Sequence, residues 1–216
     1  MKALIRLFLT VAVPILLTLT SIRVIMTPYF LQFEYQRAGF PEDRYGLTTQ
    51  DRILYGHYAV DYLLNGEPID YLGNLIFPDS TAQYTLGELR HMEDVKVVTT
   101  YAYLIAVVVG ILVIVSALFL RNQSAHFWIG LRDGGLLTLG LILVIVVGAV
   151  FLWDEFFVLF HSAFFADGTW YFPYDSTLIR LFPEQFWFDA ALIIGGMTTA
   201  MALILLAISR TQLRSS

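Results

Sequence analysis

The sequence predicts an all-α membrane protein, with four transmembrane helices and a mostly helical extracytoplasmic domain supplied chiefly by the first outer segment. Three observations predict it. Of 216 residues, 57% are hydrophobic and 14% are charged, whereas an ordinary soluble domain is about 45–50% apolar and about 25% charged. The mean hydropathy is +0.68, and a single aqueous core of this size cannot hide that much apolar surface. Finally, the uncharged residues fall into long separate runs, and the basic residues sort to one side of them.

The first run, Leu7–Ile22, has 16 uncharged residues. It follows a short basic stretch (Lys2, Arg6) and so resembles a secretory leader. No small-residue cleavage signal follows, and the apolar character continues to Met26, with Arg23 able to snorkel. An uncleaved helix over about 5–26 is expected, with a kink at Pro14. Val97–Leu120 has 24 uncharged residues, Gly134–Trp153 has 20 and Ala190–Ser209 has 20. At roughly 1.5 Å per residue each crosses a hydrocarbon core about 30 Å thick, giving helices over about 97–120, 134–153 and 188–209. The chain reads as one membrane domain, 1–216, with extracytoplasmic segments 27–96 and 154–187.

Charge sets the expected orientation. With both termini in the cytoplasm, Lys2, Arg6, Arg121, Arg132, Arg210 and Arg214 flank the inner helix ends against a single acid, Asp133. That distribution obeys the positive-inside rule. The other 17 acids lie within 27–96 and 154–189. The longer outer segment also carries Arg37, Arg44, Arg52, Arg90 and Lys96, each among acids. A net charge of −5 argues against a nucleic-acid partner.

The first outer segment is rich in Tyr, Phe, Leu and Ile and is expected to pack. Gly39-Phe40-Pro41 marks a turn. Thr48-x-x-Asp51 marks a helix start and Asn65-Gly66 its stop, with Ile53, Tyr55, Tyr58, Ala59, Tyr62 and Leu63 at helical spacing between them. Gly66–Tyr84 reads as loop or short extended structure, and a helical pattern resumes at Thr85. The second outer segment holds twelve aromatic residues, from Phe156 to Trp187. An interfacial belt needs fewer, so short amphipathic pieces lying against acyl chains are expected there.

Chemically useful residues are few. The absence of cysteine removes disulfides, thiolate nucleophiles and Cys-ligated metals. No nucleophile elbow, zincin helix, phosphate loop or dinucleotide glycine pattern is present, and no metal ligand set or cofactor is expected. Two histidines stand out by position. His91 precedes the second membrane run, and His161 lies just beyond the third, so both fall at one membrane face and similar depth. On a helix Asp94 neighbours His91, and a carboxylate beside imidazole fixes its tautomer. Arg90 is spaced to pair with Asp94 or to bind a carbonyl. Arg44-Tyr45-Gly46 reads as a turn whose arginine is held by acids. Ser162 adjoins His161 in sequence but faces elsewhere on a helix. Asp189, at the mouth of the fourth helix, is expected to face the bundle. His57 and His126 read as incidental.

At these residues the chain resembles the bacterial lipoprotein intramolecular transacylases, Lit, over nearly its whole length. The matching patterns are Phe40-Pro41 with Arg44-Tyr45-Gly46, then His91-Met92-x-Asp94-Val95-Lys96. Phe160-His161-x-x-Phe164-Phe165 and Leu178-Ile179-x-Leu181-Phe182-Pro183, followed by Phe186-Trp187, complete them. The resemblance implies a multi-pass protein of the bacterial cell membrane, active at its outer face. Its substrates would be diacylglyceryl-modified lipoproteins, with membrane lipids as neighbours. The implied reaction moves the sn-2 acyl chain of diacylglyceryl-cysteine to that cysteine's own α-amine, giving a lyso-form lipoprotein. The resemblance points to His91 and His161 as catalytic, with Asp94, Arg90, Arg44 and Tyr45 in support. One assignment makes His161 the proton shuttle and His91, oriented by Asp94, the donor to the oxyanion; the two roles are interchangeable. The competing readings are a haem-binding bundle ligated by paired histidines and a non-catalytic membrane protein.

Overall fold

The computed structural model describes residues 1–215. The element order is α1 (Lys2–Ile25), α2 (Pro28–Gln36), α3 (Thr49–Leu64), a single turn α4 (Asp70–Gly73), α5 (Leu86–Phe119), a 3₁₀ turn (Arg121–Gln123), α6 (Ser124–Phe151), α7 (Trp153–Phe164), α8 (Thr177–Leu181) and α9 (Glu184–Ser215). Four stretches are long and apolar enough to cross a membrane: α1, α5, the 3₁₀ turn with α6, and α9. The protein is therefore an all-α, multi-pass membrane protein. Helix α1 continues through Pro14. Helix α5 begins at Leu86, well before its apolar run, and the connection after it shrinks to the 3₁₀ turn, since α6 is already helical from Ser124.

The chain forms two compact units. One comprises Met1–Val24, Ala102–Leu152 and the chain from Ala191 onward. In this unit α6 meets α1 through glycine. A Cβ on Gly130 would lie 2.8 Å from Leu9 Cβ, and one on Gly134 would lie 2.6 Å from Val13 Cβ. Leu9 and Val13 are themselves one turn apart, so two residues of α1 seat against two glycines of α6. Where lipid removes the hydrophobic drive between helices, such close backbone approach supplies dispersion contact instead. Leu9, Val13 and Leu131 form the buried cluster at this contact. Gly135 faces Leu206 of α9, and Gly195 of α9 faces Val146. Polar groups are matched as well: Ser21 and Thr198, both fully buried, hydrogen-bond at 2.8 Å. Arg6 Nε donates to Asp133 at 2.9 Å.

The other unit comprises Ile25–Tyr101 and Trp153–Ala190. Helix α2 is capped by Thr27, whose hydroxyl accepts from Phe30 N, and has Pro28 at its first position. Helix α3 opens on a full capping box between Thr48 and Asp51 and stops at Asn65, as its sequence requires. Its buried face, with Tyr55, Ala59 and Tyr62, packs with Leu72, Tyr84, Met92, Leu178 and Leu181. A second cluster joins Leu31, Tyr35, Val60 and Phe186. The stretch before α5 holds α4 and one antiparallel bridge, Ile76 with Ala82. Gly39 has a positive φ of 84° at the turn after α2, where a side chain would be strained.

Gly134→Ala should lower stability by about 1–3 kcal/mol, since Val13 and the Leu9 carbonyl leave no room for a methyl. Gly140→Ala, with nothing within 4 Å, should be neutral or stabilising. Unfolding midpoints in detergent check both, and equal effects would contradict the packing described.

Candidate active site

Helix α5 positions His91 and helix α7 positions His161, and both belong to the same compact unit. The start of α5 is fixed by Glu88, which is fully buried. Its Oε2 accepts from Thr85 N at 2.8 Å and from Thr85 Oγ1 at 2.9 Å. Its Oε1 accepts from Leu178 N of α8 at 2.8 Å. Thr177 Oγ1 donates to the Gln83 carbonyl beside it. The carboxylate therefore caps α5 and ties it to the chain that follows α7. His91 lies three residues after Glu88, nearly one helical turn on.

The two imidazoles stand 6.4 Å apart, centroid to centroid, with ring planes 23° from parallel. Aromatic rings surround them. His91 meets Phe165 at 4.9 Å and Phe172 at 5.6 Å. His161 meets Phe157 at 4.0 Å and stacks on Trp170 at 4.7 Å. Phe165 also contacts His161, at 5.8 Å, and so bridges the pair.

The hydrogen bonds separate the two imidazoles. Nδ1 of His161 lies 2.8 Å from the Phe157 carbonyl. A carbonyl only accepts, so Nδ1 carries the proton and Nε2 keeps a lone pair. Burial among rings pushes the His161 pKa below its usual value, against the opposing pull of that carbonyl. Nδ1 of His91, by contrast, is buried without a hydrogen-bond partner.

The expected partners of His91 are elsewhere. Asp94 is exposed and does not bond to the ring. Three residues on a helix leave the two positions about 60° apart, and the carboxylate acts on His91 only through its charge, against the burial that lowers that imidazole's pKa to about 4. Arg90 is exposed too, and the Arg90–Asp94 pair is absent from the ion pairs of the described residues. The turn after Phe40 uses a different arginine from the one expected. Arg44 is exposed, while Arg180 of α8 donates to Asp43 Oδ2 at 3.0 Å and to the Tyr45 carbonyl at 3.2 Å. Asp43 also accepts from Leu47 N at 2.7 Å. Arg180 and these amides hold the Asp43 carboxyl below its usual range despite its burial. Tyr45 lies exposed beside the Arg180 guanidinium, 5.8 Å from ring centroid to Cζ.

Three residues of this unit were not singled out in the sequence. Glu88 carries a capping-box signal with Thr85 but gives no sign of its long-range bond to Leu178. Trp170 stands in the sequence only as one aromatic among twelve. Arg52, nearly fully buried, has its guanidinium 4.9 Å from the Tyr35 ring and 5.0 Å from Phe40, and donates to the Pro41 carbonyl at 2.7 Å. Asp189, expected to face inward, accepts from Arg37 and, at 2.9 Å, from Gln185.

Comparisons with known proteins bear on the family and the fold. A family model described as lipoprotein intramolecular transacylase Lit matches residues 6–187. An uncharacterized protein of Aquifex aeolicus is 27% identical over 208 residues, covering 95% of this chain and 93% of its own. The fold is similar to that of the membrane integral lipoprotein intramolecular transacylase Lit of Bacillus cereus. The TM-score is 0.79 at 18% identity, over 100% of this chain and 97% of that one. A structure of the same Bacillus protein with one histidine replaced by alanine gives a TM-score of 0.76, also at 18% identity, over 100% and 96% of the two chains.

Glu88→Ala should cost about 2–4 kcal/mol of stability, because charge-assisted bonds are lost and Leu178 N is left buried without an acceptor. Glu88→Gln, which keeps an accepting oxygen, should cost less. Chemical unfolding of the two variants checks the order; equal losses would reject the capping role.

Proposed function

Since the chain belongs to the lipoprotein intramolecular transacylase family, Lit, a family of acyltransferases, we propose that it transfers the sn-2 acyl chain of a lipoprotein's diacylglyceryl-cysteine to the α-amine of that cysteine. The observation that carries this reading is the pair of half-buried imidazoles, 6.4 Å apart in a wall of aromatic rings. Such a site suits a lipid-tailed substrate and excludes water, so aminolysis of the ester is favoured over hydrolysis. The six basic residues beside the inner helix ends favour cytoplasmic termini and a reaction at the outer face.

The reaction needs no acyl-enzyme, because the nucleophile and the ester share one molecule and positioning lowers much of the barrier. His161 Nε2 accepts a proton from the cysteine amine as nitrogen attacks the ester carbonyl carbon. His91 donates through Nε2–H to the tetrahedral oxyanion, its Nδ1 being shut away. As the carbon–oxygen bond breaks, His161 returns the same proton to the departing glyceryl oxygen. The products are an amide and an alcohol, with no net proton change. The Phe157 carbonyl holds the His161 tautomer, a part often played by a carboxylate. Trp170 and Phe157 fix the plane of that ring. Arg180 and Asp43 are placed as supports of the turn at Arg44 and Tyr45.

The test is expression in a bacterium lacking lipoprotein N-acylation, followed by mass spectrometry of lipoprotein N-termini. Conversion to the N-acyl lyso form is expected. Unchanged diacyl forms with a folded, membrane-inserted protein would overturn the reading. His91→Ala and His161→Ala should each lower the rate by about 10²–10⁴-fold while leaving the unfolding midpoint close to that of the parent.

The pH profile separates the base from the amine. The α-amine, with a pKa of about 8, must be neutral, and His161, whose pKa is depressed by burial, must be unprotonated. The logarithm of the rate should rise with slope 1 up to about pH 8. Below the His161 pKa, itself under the ordinary 6.5, two protons block the reaction and the slope should steepen to 2. A single slope across the acid range would remove His161 as the base.

A further inference from the structure

A separate cavity of about 410 Å³ lies against α5, lined by Tyr62, Glu93, Lys96, Val97, Thr100 and Tyr101. The last five are spaced at i, i+3, i+4, i+7 and i+8, which is one helical stripe. Tyr62 of α3 forms the opposite wall. On a regular helix the middle of this stripe is turned about 150° from His91, so the cavity is distinct from the histidine cluster.

Its charges are unusual. Lys96 Nζ lies 4.0 Å from the centroid of the Tyr62 ring and donates to the Glu67 carbonyl at 2.6 Å and to Asn65 Oδ1 at 3.3 Å. Both acceptors are uncharged, and Lys96 forms no ion pair among those of the described residues. An ammonium has three donors, so one N–H and the net positive charge remain. Glu93, three residues earlier, is exposed and likewise outside those ion pairs. The cavity thus holds one cation and one anion, neither in an ion pair among those of the described residues, with the Glu67 carboxylate acting on Lys96 only through its longer-range charge. Val97, the next residue, opens the 24-residue uncharged run, and Val97 and Tyr101 are themselves exposed. A polar pair therefore sits where the helix turns apolar, which is the depth of a phospholipid headgroup.

We propose that this cavity binds the headgroup of a zwitterionic phospholipid bearing a primary ammonium, of the phosphatidylethanolamine class. Lys96 takes the phosphate through its remaining N–H, and Glu93 takes the ammonium. The acyl chains lie along the exposed Val97 side. The Tyr62 ring is already occupied by Lys96, so it cannot cage a quaternary ammonium. Glu93 then selects a headgroup nitrogen that still carries N–H donors. A purely anionic headgroup would meet Lys96 but be repelled by Glu93.

The experiment is native mass spectrometry of the full chain in detergent, titrated with phosphatidylethanolamine, phosphatidylcholine or phosphatidylglycerol of identical acyl chains. One phosphatidylethanolamine per chain is expected, at an occupancy at least about fivefold above the other two. Glu93→Gln should weaken phosphatidylethanolamine roughly tenfold and raise phosphatidylglycerol to match or exceed it. Lys96→Gln keeps a donor for Glu67 but should lose the phosphate and weaken all three lipids. Equal binding of the three lipids by the parent protein overturns the proposal, as does a Glu93→Gln profile identical to the parent's. Glu93 is exposed, so that variant decides the matter even if Lys96→Gln fails to fold. Both measurements are independent of lipoprotein acylation.

Discussion

A buried carboxylate orders much of the unit that holds the two histidines. Glu88 accepts from two groups of Thr85 and from the backbone amide of Leu178. An ionised carboxylate in an apolar setting is costly unless each oxygen is met by a donor, and here each oxygen is met. The same contact fixes where α5 begins and where the chain lies after α7. His91 rides nearly one turn beyond the carboxylate. The aromatic stretch that brings Trp170 and Phe172 to the two histidines is bounded by the residue Glu88 holds. A local capping signal thus becomes a long-range clamp, because one oxygen is left over from the cap and finds an amide 90 residues away.

The imidazole pair illustrates how a low-dielectric wall tunes ordinary groups. Neither ring has a carboxylate partner. The surroundings are aromatic, and burial alone disfavours the charged form of His161. A neutral imidazole with its Nδ1 proton committed to a backbone carbonyl is ready to accept at Nε2. A carboxylate partner would raise the pKa and favour imidazolium at neutral pH. The exposed position of Asp94 therefore suits the proposed chemistry better than the contact expected from its spacing.

The membrane unit is built on a different principle. Its helices have few donors to exchange, and they associate where glycine lets side chains of the next helix reach the backbone surface. Gly130 and Gly134 take Leu9 and Val13, Gly135 takes Leu206, and Val146 of the same helix approaches Gly195 of α9. Helix α6 is the common partner of α1 and α9 in these contacts. Two hydroxyls, Ser21 and Thr198, satisfy one another within the same unit. The unit that holds the histidines instead uses large aromatic residues and charge-assisted hydrogen bonds.

The amino-acid sequence alone determined the four membrane helices, since lipid forces backbone polar groups into helices and apolar run length reports bilayer thickness. It also marked the capping box at Thr48 and Asp51, the stop at Asn65, the helical pattern resuming at Thr85, and the two histidines as the unusual residues beside apolar runs. Each of those signals is local, carried by residues within about one helical turn or by uninterrupted composition. What only tertiary structure decided are contacts between residues far apart in the chain. That Phe165 bridges the two histidines, that Trp170 stacks on one, that Leu178 N closes the Glu88 cap, and that Arg180 rather than Arg44 meets Asp43 depend on segments more than 70 residues apart or on the path of a loop. The Asp94 contact failed for the same reason. Spacing says which residues neighbour along one helix, whereas the direction in which a ring turns is set by what the rest of the chain packs against it.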